Sequence, residues 1–297
     1  MAAYIIRRVI LMVALLFVLT AAVFALFTIL PGCQGGDKGK KADDKKVEEK
    51  KVGDEKKADE KKPTVELDAP TDGVIKGRVV IDGAAPEAKS LAETIAKHSD
   101  KEACMAGGGT NIVEQQWLVG KDKGVANVLV TLVPPEGKSF KVTDEVKAKF
   151  AKPAEIDQPF CAFVPHLVAV YAPAQKLLVK NSAKVTHNAN LSGSALLNPS
   201  KNMTLTPGNS QEVALKFQKE PLNVKCDAHN WMTAKIITLN QPYFAVTDAD
   251  GNFTITNVPS GAKLDVVLWH EAVGEVTGNS VPVVTGDSPA LFRLTAK

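Results

Sequence analysis

Three side chains suited to a soft metal stand within one seven-residue stretch, Cys226-Asp-Ala-His229-Asn-Trp-Met232, spaced Cys-x2-His-x2-Met. A thiolate and a thioether suit Cu(I), and imidazole suits either copper valence. Such a loop therefore supplies most of a trigonal His2Cys set with a weak axial Met. The set lacks a second imidazole. His187, in Val185-Thr-His187-Asn188, is the candidate, and the interval to Cys226 leaves room for strands that return to the same end of a sandwich. Zinc would call for more Cys or His nearby, and Met serves it poorly. The bland alternative is a buried free Cys beside a core Met and a surface His.

The chain has four cysteines. Cys226 goes to the metal, and Cys33 closes an N-terminal apolar run. Cys104 and Cys161 remain, and an oxidising compartment favours pairing them. The other reading makes Cys161 and His166 the start of a second metal site, which two ligands leave incomplete. His166, interrupting an apolar strand, and His270, beside Glu271 as a partner that would fix its tautomer, read as structural. His98 reads as a solvated residue at a polar helix end. Trp231 reads as packing, or as an apolar contact surface around an exposed edge of His229, which would then be the exit for electrons.

These residues need elements to position them. Arg7-Arg8 precede an apolar run, Val9 to Leu30, followed by Pro31-Gly32-Cys33. The run is long enough to span a bilayer, and the arginines keep the N-terminus inside. Leu30-Pro31-Gly32-Cys33 resembles a bacterial lipobox, with Cys33 lipidated; the alternative is an uncleaved signal anchor. Either way the rest of the chain faces outward, as a membrane-anchored periplasmic or cell-surface protein. Residues 34–63 hold eleven Lys and nine acids and no apolar face, the composition of a solvated tether. The formal net charge of +3 comes from these N-terminal segments, so the remainder is near neutral and offers no nucleic-acid face.

From Thr64 onward, short β-runs alternate with Gly, Pro, Asn and Asp. Strands are expected near 74–81, 125–133, 161–170, 176–180, 211–217, 222–225, 234–239, 244–247, 252–255, 263–269 and 291–294, with short helices at 87–97 and 144–150. The fold class is all-β, built of sandwiches. No Gly-x-Ser-x-Gly elbow, Walker loop, zinc-protease motif or dinucleotide fingerprint is present, so a carrier or binding protein is expected rather than an enzyme.

Over 159–239 the chain resembles the amicyanin and plastocyanin branch of the cupredoxins, in which a His-Asn pair opens a copper site and a Cys-x2-His-x2-Met loop closes it. The resemblance implies one mononuclear type 1 copper with His187, Cys226, His229 and Met232 as ligands, and Asn188 tying the two loops together beside the thiolate. Ala228 and Asn230 stand where that loop type carries prolines, and Val224 where an aromatic is usual. Phe244 to Gly261, with Asp250-Gly251 as a hairpin turn, resembles the carboxypeptidase regulatory-like, or prealbumin-like, β-sandwich. Gly77-Arg-Val79-Val80 and the Val-rich run 125–130 look like its opening strands.

The expected organisation is thus a targeting segment 1–33, a charged linker 34–71, a first sandwich part 72–140, a Greek-key cupredoxin-like domain 141–240 inserted in a loop, and a second sandwich part 241–297. The layout over 72–297 resembles bacterial proteins described as methylamine-utilisation or cupredoxin-like. The implied function is single-electron transfer to an unidentified redox partner protein. The alternatives are a non-redox surface module for a glycan or protein, with a structural or vestigial metal site, and copper delivery or storage.

Overall fold

The computed structural model describes residues 64–172 and 174–296. The apolar run, Cys33 and the tract 34–63 lie outside them. Among the described residues no helix is long and apolar enough to cross a membrane.

The chain is all-β. Its strands are β1 (Val65–Leu67), β2 (Gly73–Asp82), β3 (Leu129–Val133), β4 (Lys138–Phe140), β5 (Ala154–Phe160), β6 (Ala162–Val164), β7 (Leu167–Tyr171), β8 (Leu177–Lys180), β9 (His187–Ser192) and β10 (Lys201–Leu205). They continue as β11 (Ser210–Val213), β12 (Leu222–Lys225), β13 (Thr233–Leu239), β14 (Phe244–Val246), β15 (Asn252–Val258), β16 (Lys263–His270), β17 (Gly274–Thr277), β18 (Val281–Pro282) and β19 (Gly286–Thr295). Among the described residues three short α-helices interrupt them: α1 (Ala92–Ala96), α2 (Lys101–Met105) and α3 (Asp144–Ala148).

Two sheets built from residues 154–239 enclose one core. The first has strand order β10-β9-β12-β13-β7, and the second β11-β8-β5-β6. Between them pack Ile156, Val170, Leu177, Val179, Leu191, Leu222, Val224 and Ile236. Each fully buried aliphatic side chain contributes roughly 2 kcal/mol. The second core lies between β14-β3-β16-β17 and β15-β2-β19. Here the period-two pattern is plain: Leu264, Val266 and Leu268 face inward from β16, and Phe253 and Ile255 from β15. The turn expected to close a hairpin instead carries the chain from one sheet to the other, because β14 pairs with β3 and β15 with β2; it bends at Gly251, whose φ of +80° suits glycine. Asp248 accepts there from the N–H groups of Asp250 and Asn252.

β2 pairs with β15 and, in parallel, with β19, while β3 pairs with β14 and β16. The strands of the second core therefore come from both sides of 154–239. Leu129, Leu167 and Ile237 form a small cluster where the two sets of sheets meet.

Some elements differ from expectation. The run 161–170 is two strands, β6 and β7, parted at Pro165-His166. Val65–Leu67, inside the segment read as linker, pairs in parallel with β4. The helix expected over 87–97 is only α1, because Ser90 instead bridges to Val113.

Candidate metal centre

The loop 226–232 closes the hairpin between β12 and β13, whose last register pair is Lys225 with Thr233. It is held tight by Cys226 N–H donating to the Met232 carbonyl at 3.1 Å and Met232 N–H to the His229 carbonyl at 2.8 Å. β12 also pairs with β9, Lys225 opposite Asn190. That register brings the start of β9, and so His187, to the same end of the sandwich. The loop leading into β9 is fixed by buried Asn181, which donates to the carbonyls of Val185 and Leu205.

Three donors converge. Cys226 Sγ lies 3.7 Å from His229 Nδ1 and 4.0 Å from His187 Nδ1, and the two Nδ1 atoms are 3.1 Å apart. His187, Cys226, His229 and Met232 are all buried, and Met232 packs in the same core as Cys226. Asn188 joins the two loops. Its Oδ1 accepts from Asp227 N–H at 2.8 Å and from the Cys226 thiol at 3.3 Å, and its amide donates to Asp227. Asp227, its carboxyl held low chiefly by Lys225, also accepts from Asn202.

Burial first, and then the charge His229 would carry, push His187 down to about 4; the Phe160 backbone opposes this. His229 is also lowered, by burial and then by His98, against the pull of Asp100. Both imidazoles are therefore neutral near pH 7 and able to offer lone pairs. His229 Nε2 faces Asp100 Oδ2 at 3.1 Å, so its proton belongs on Nε2 and its free lone pair on Nδ1. His187 Nε2 is buried without a hydrogen-bond partner. Two imidazole Nδ1 atoms and a cysteine sulfur that converge on one buried point, with a thioether on the same loop, form a donor set that fits copper.

Several expectations are corrected. His229 presents no surface edge: it is 0% exposed and capped by Asp100, His98 and Trp231. His98 is not a solvated helix end; its ring lies 4.6 Å from that of His229 and 5.3 Å from that of Trp231. Glu271 does not serve its neighbour His270. It pairs with His166 at 2.6 Å and Lys235 at 3.2 Å, while the second ring nitrogen of His166 meets the Thr233 carbonyl. His270 instead packs on Trp117. The Cys104–Cys161 pairing, by contrast, is as expected: the two form a disulfide, and Cys226 is the free cysteine among the described residues. Trp231 donates to the Cys161 carbonyl, and a cleft of about 380 Å³ opens beside it and Met232.

No protein-family model matches the chain, and neither does any curated protein. Among solved structures, a purple cupredoxin from Nitrosopumilus maritimus is 14% identical, over 29% of this chain and 99% of its own, with a TM-score of 0.25. A copper-containing nitrite reductase from Thermus scotoductus is 13% identical, over 30% of this chain and 23% of its own, with a TM-score of 0.27. A Cu(I) form of an amicyanin variant is 12% identical, over 37% of this chain and 98% of its own, also at 0.27. Likenesses this slight carry no weight for the site, which rests on its own side chains.

Proposed function

We propose that this chain is an extracytoplasmic, membrane-tethered protein that holds one type 1 copper through His187, Cys226, His229 and Met232 and passes single electrons to a partner protein. The observation that carries this reading is the buried convergence of His187 Nδ1, His229 Nδ1 and Cys226 Sγ within 4.0 Å, above a loop that Met232 closes. Bound there, copper supplies a one-electron couple. The chain's own part is to hold the donors in one geometry for both valences. The β12–β13 hairpin fixes three of them, Asn181 and β9 fix the fourth, and Asn188 hydrogen-bonds the sulfur. Burial keeps water from the donors. Four protein donors leave no position for a substrate, so the reading is a carrier rather than a catalyst.

The charge and length of residues 7–30 support the tether. The pairing of β2 with β15 and of β3 with β14, across residues 154–239, supports a regulatory-like sandwich of 72–140 and 241–297 interrupted by the copper-binding unit 141–240.

The test uses the detergent-solubilised full chain loaded with Cu(II). An intense visible charge-transfer band, lost on reduction, is expected. Cys226→Ala should abolish it and His187→Ala should disrupt it, whereas Met232→Leu should keep the metal and raise the potential. Stoichiometric binding without colour, or a spectrum untouched by His187→Ala, refutes the assignment.

A further inference from the structure

Residues 90–113 belong to neither sandwich sheet, yet they end against the candidate centre. Their two ends are tied by the Ser90–Val113 bridge and by Leu91 N–H donating to the Ile112 carbonyl. Ile95 and Cys104 sink into the same core as Cys226 and Met232, and the Cys104–Cys161 disulfide fastens the segment to the β5–β6 turn. The segment is a cap, and the residue it presents inward is Asp100.

Asp100 stands at the N-terminal boundary of α2, where an aspartate ordinarily caps the helix by accepting a backbone N–H. Here its side chain caps nothing. Its Oδ2 instead faces His229 Nε2 at 3.1 Å. The backbone of Asp100 is fixed on both sides: its N–H donates to His98 Nδ1 at 3.1 Å and its carbonyl accepts from Cys104 N–H at 3.0 Å. The His98 ring then covers the remaining side of His229. A cap held by the Cys104–Cys161 disulfide, the Ser90–Val113 bridge and buried Ile95 thus aims one carboxylate at the outer nitrogen of one imidazole.

We infer that Asp100 is a positioning residue of the centre: it holds the proton of His229 on Nε2, reserves Nδ1 as the metal donor, and places a negative charge that favours Cu(II) over Cu(I). The inference rests on the function proposed above. Its physical basis is twofold. A carboxylate on the far nitrogen of a ligating imidazole fixes the tautomer and raises the basicity of the donor nitrogen. A fixed negative charge near a buried site stabilises the more highly charged ion. A structural consequence follows. The outward path from His229 runs through the cap, past the partly exposed His98, and not directly into solvent.

The experiment separates charge from hydrogen bond, using the full chain in detergent. In the metal-free protein, nitrogen NMR of His229 should report Nε2–H in wild type. Asp100→Asn retains an acceptor oxygen and should keep that tautomer, while Asp100→Ala should give a mixture. In the copper-loaded protein, Asp100→Asn should lower the Cu(II):Cu(I) ratio at fixed poise by about tenfold, a shift of about 59 mV for a one-electron couple. Glu102→Gln removes an equal charge from an exposed position of α2 and should change the ratio by less than about twofold. An unaltered tautomer in Asp100→Ala overturns the positioning role. An unchanged potential in Asp100→Asn, or an equal shift in Glu102→Gln, overturns the electrostatic one. If wild type binds copper without colour, the type 1 reading fails by itself, and the metal-free measurement still decides whether Asp100 positions His229.

Discussion

His270 is a buried base whose cost can be read as a pH dependence of stability. It ends β16 at 1% exposure, packed on Trp117 at 4.1 Å between ring centres. Its Nδ1 accepts from Ala272 N–H at 3.3 Å, and its Nε2 is buried without a hydrogen bond. Burial drives it from 6.5 to about 4, opposed by the charge of Glu271 and then by the Gln116 backbone. Above pH 6.5 the ring is neutral in the folded and unfolded chain alike, and it adds no pH dependence. Between 6.5 and about 4 the unfolded chain binds a proton that the folded chain refuses, so stability falls as pH falls. The loss is roughly 3 kcal/mol over the whole window and about 2 kcal/mol by pH 5. His270→Gln can still accept from Ala272 and does not titrate. In urea titrations of the metal-free protein at pH 7, 6 and 5, its stability should decline less steeply than that of wild type by about that amount. Other groups, His187 among them, titrate in both proteins and cancel in the difference. Parallel declines for wild type and His270→Gln would show that the ring is not held neutral by burial, and the reasoning would fall.

Replacing both Cys104 and Cys161 by Ala removes a link across 57 residues and should cost about 4 kcal/mol in chemical denaturation, with faster hydrogen exchange in residues 90–113. Gly124→Ala would place a Cβ 1.9 Å from the Asp250 carbonyl oxygen, a backbone atom that cannot step aside; a loss of about 1–3 kcal/mol or more is expected from thermal melts. Cys33→Ser should stop processing and leave a heavier, still membrane-bound precursor, whereas an intact mass for wild type that begins at Met1 without lipid supports the signal anchor.

The donor set was legible because its chemistry is local. Cys226, His229 and Met232 share one loop, and the alternation of apolar and polar residues in β12 and β13 on either side announces a hairpin. His187 could be named from its type, its Asn188 neighbour and an interval that leaves room for returning strands. What brings it into place is a register, Lys225 opposite Asn190, which no spacing states. Strands whose inward residues alternate with polar ones, such as β15 and the first half of β16, were readable for the same local reason. β10, Lys-Asn-Met-Thr-Leu, escaped notice because only Met203 and Leu205 face the core. The split of 161–170 was hidden because both halves are apolar and His166 satisfies its ring within the fold.

The cap was illegible for a deeper reason. α1 and α2 are five residues each, too short to show a helical period, and neither has a side-chain cap at its start. Asp100 lies 129 residues before the imidazole it faces, so no motif could join them. Read locally, His98 and Asp100 are polar residues of the kind that water would claim, and His229 is the outermost donor of an exposed loop. Tertiary packing reverses both readings at once: Ile95 and Cys104 gain burial only if the segment lies down over the sandwich, and lying down puts His98 and Asp100 on His229. The candidate donors therefore come largely from a local sequence pattern, but their electrostatic setting comes from a segment whose position is decided by buried Ile95 and the Cys104–Cys161 disulfide. If the proposed copper site is formed, a variant that loosens the cap while sparing the four candidate donors should alter its potential and solvent access, read by redox titration and hydrogen exchange, before its metal stoichiometry.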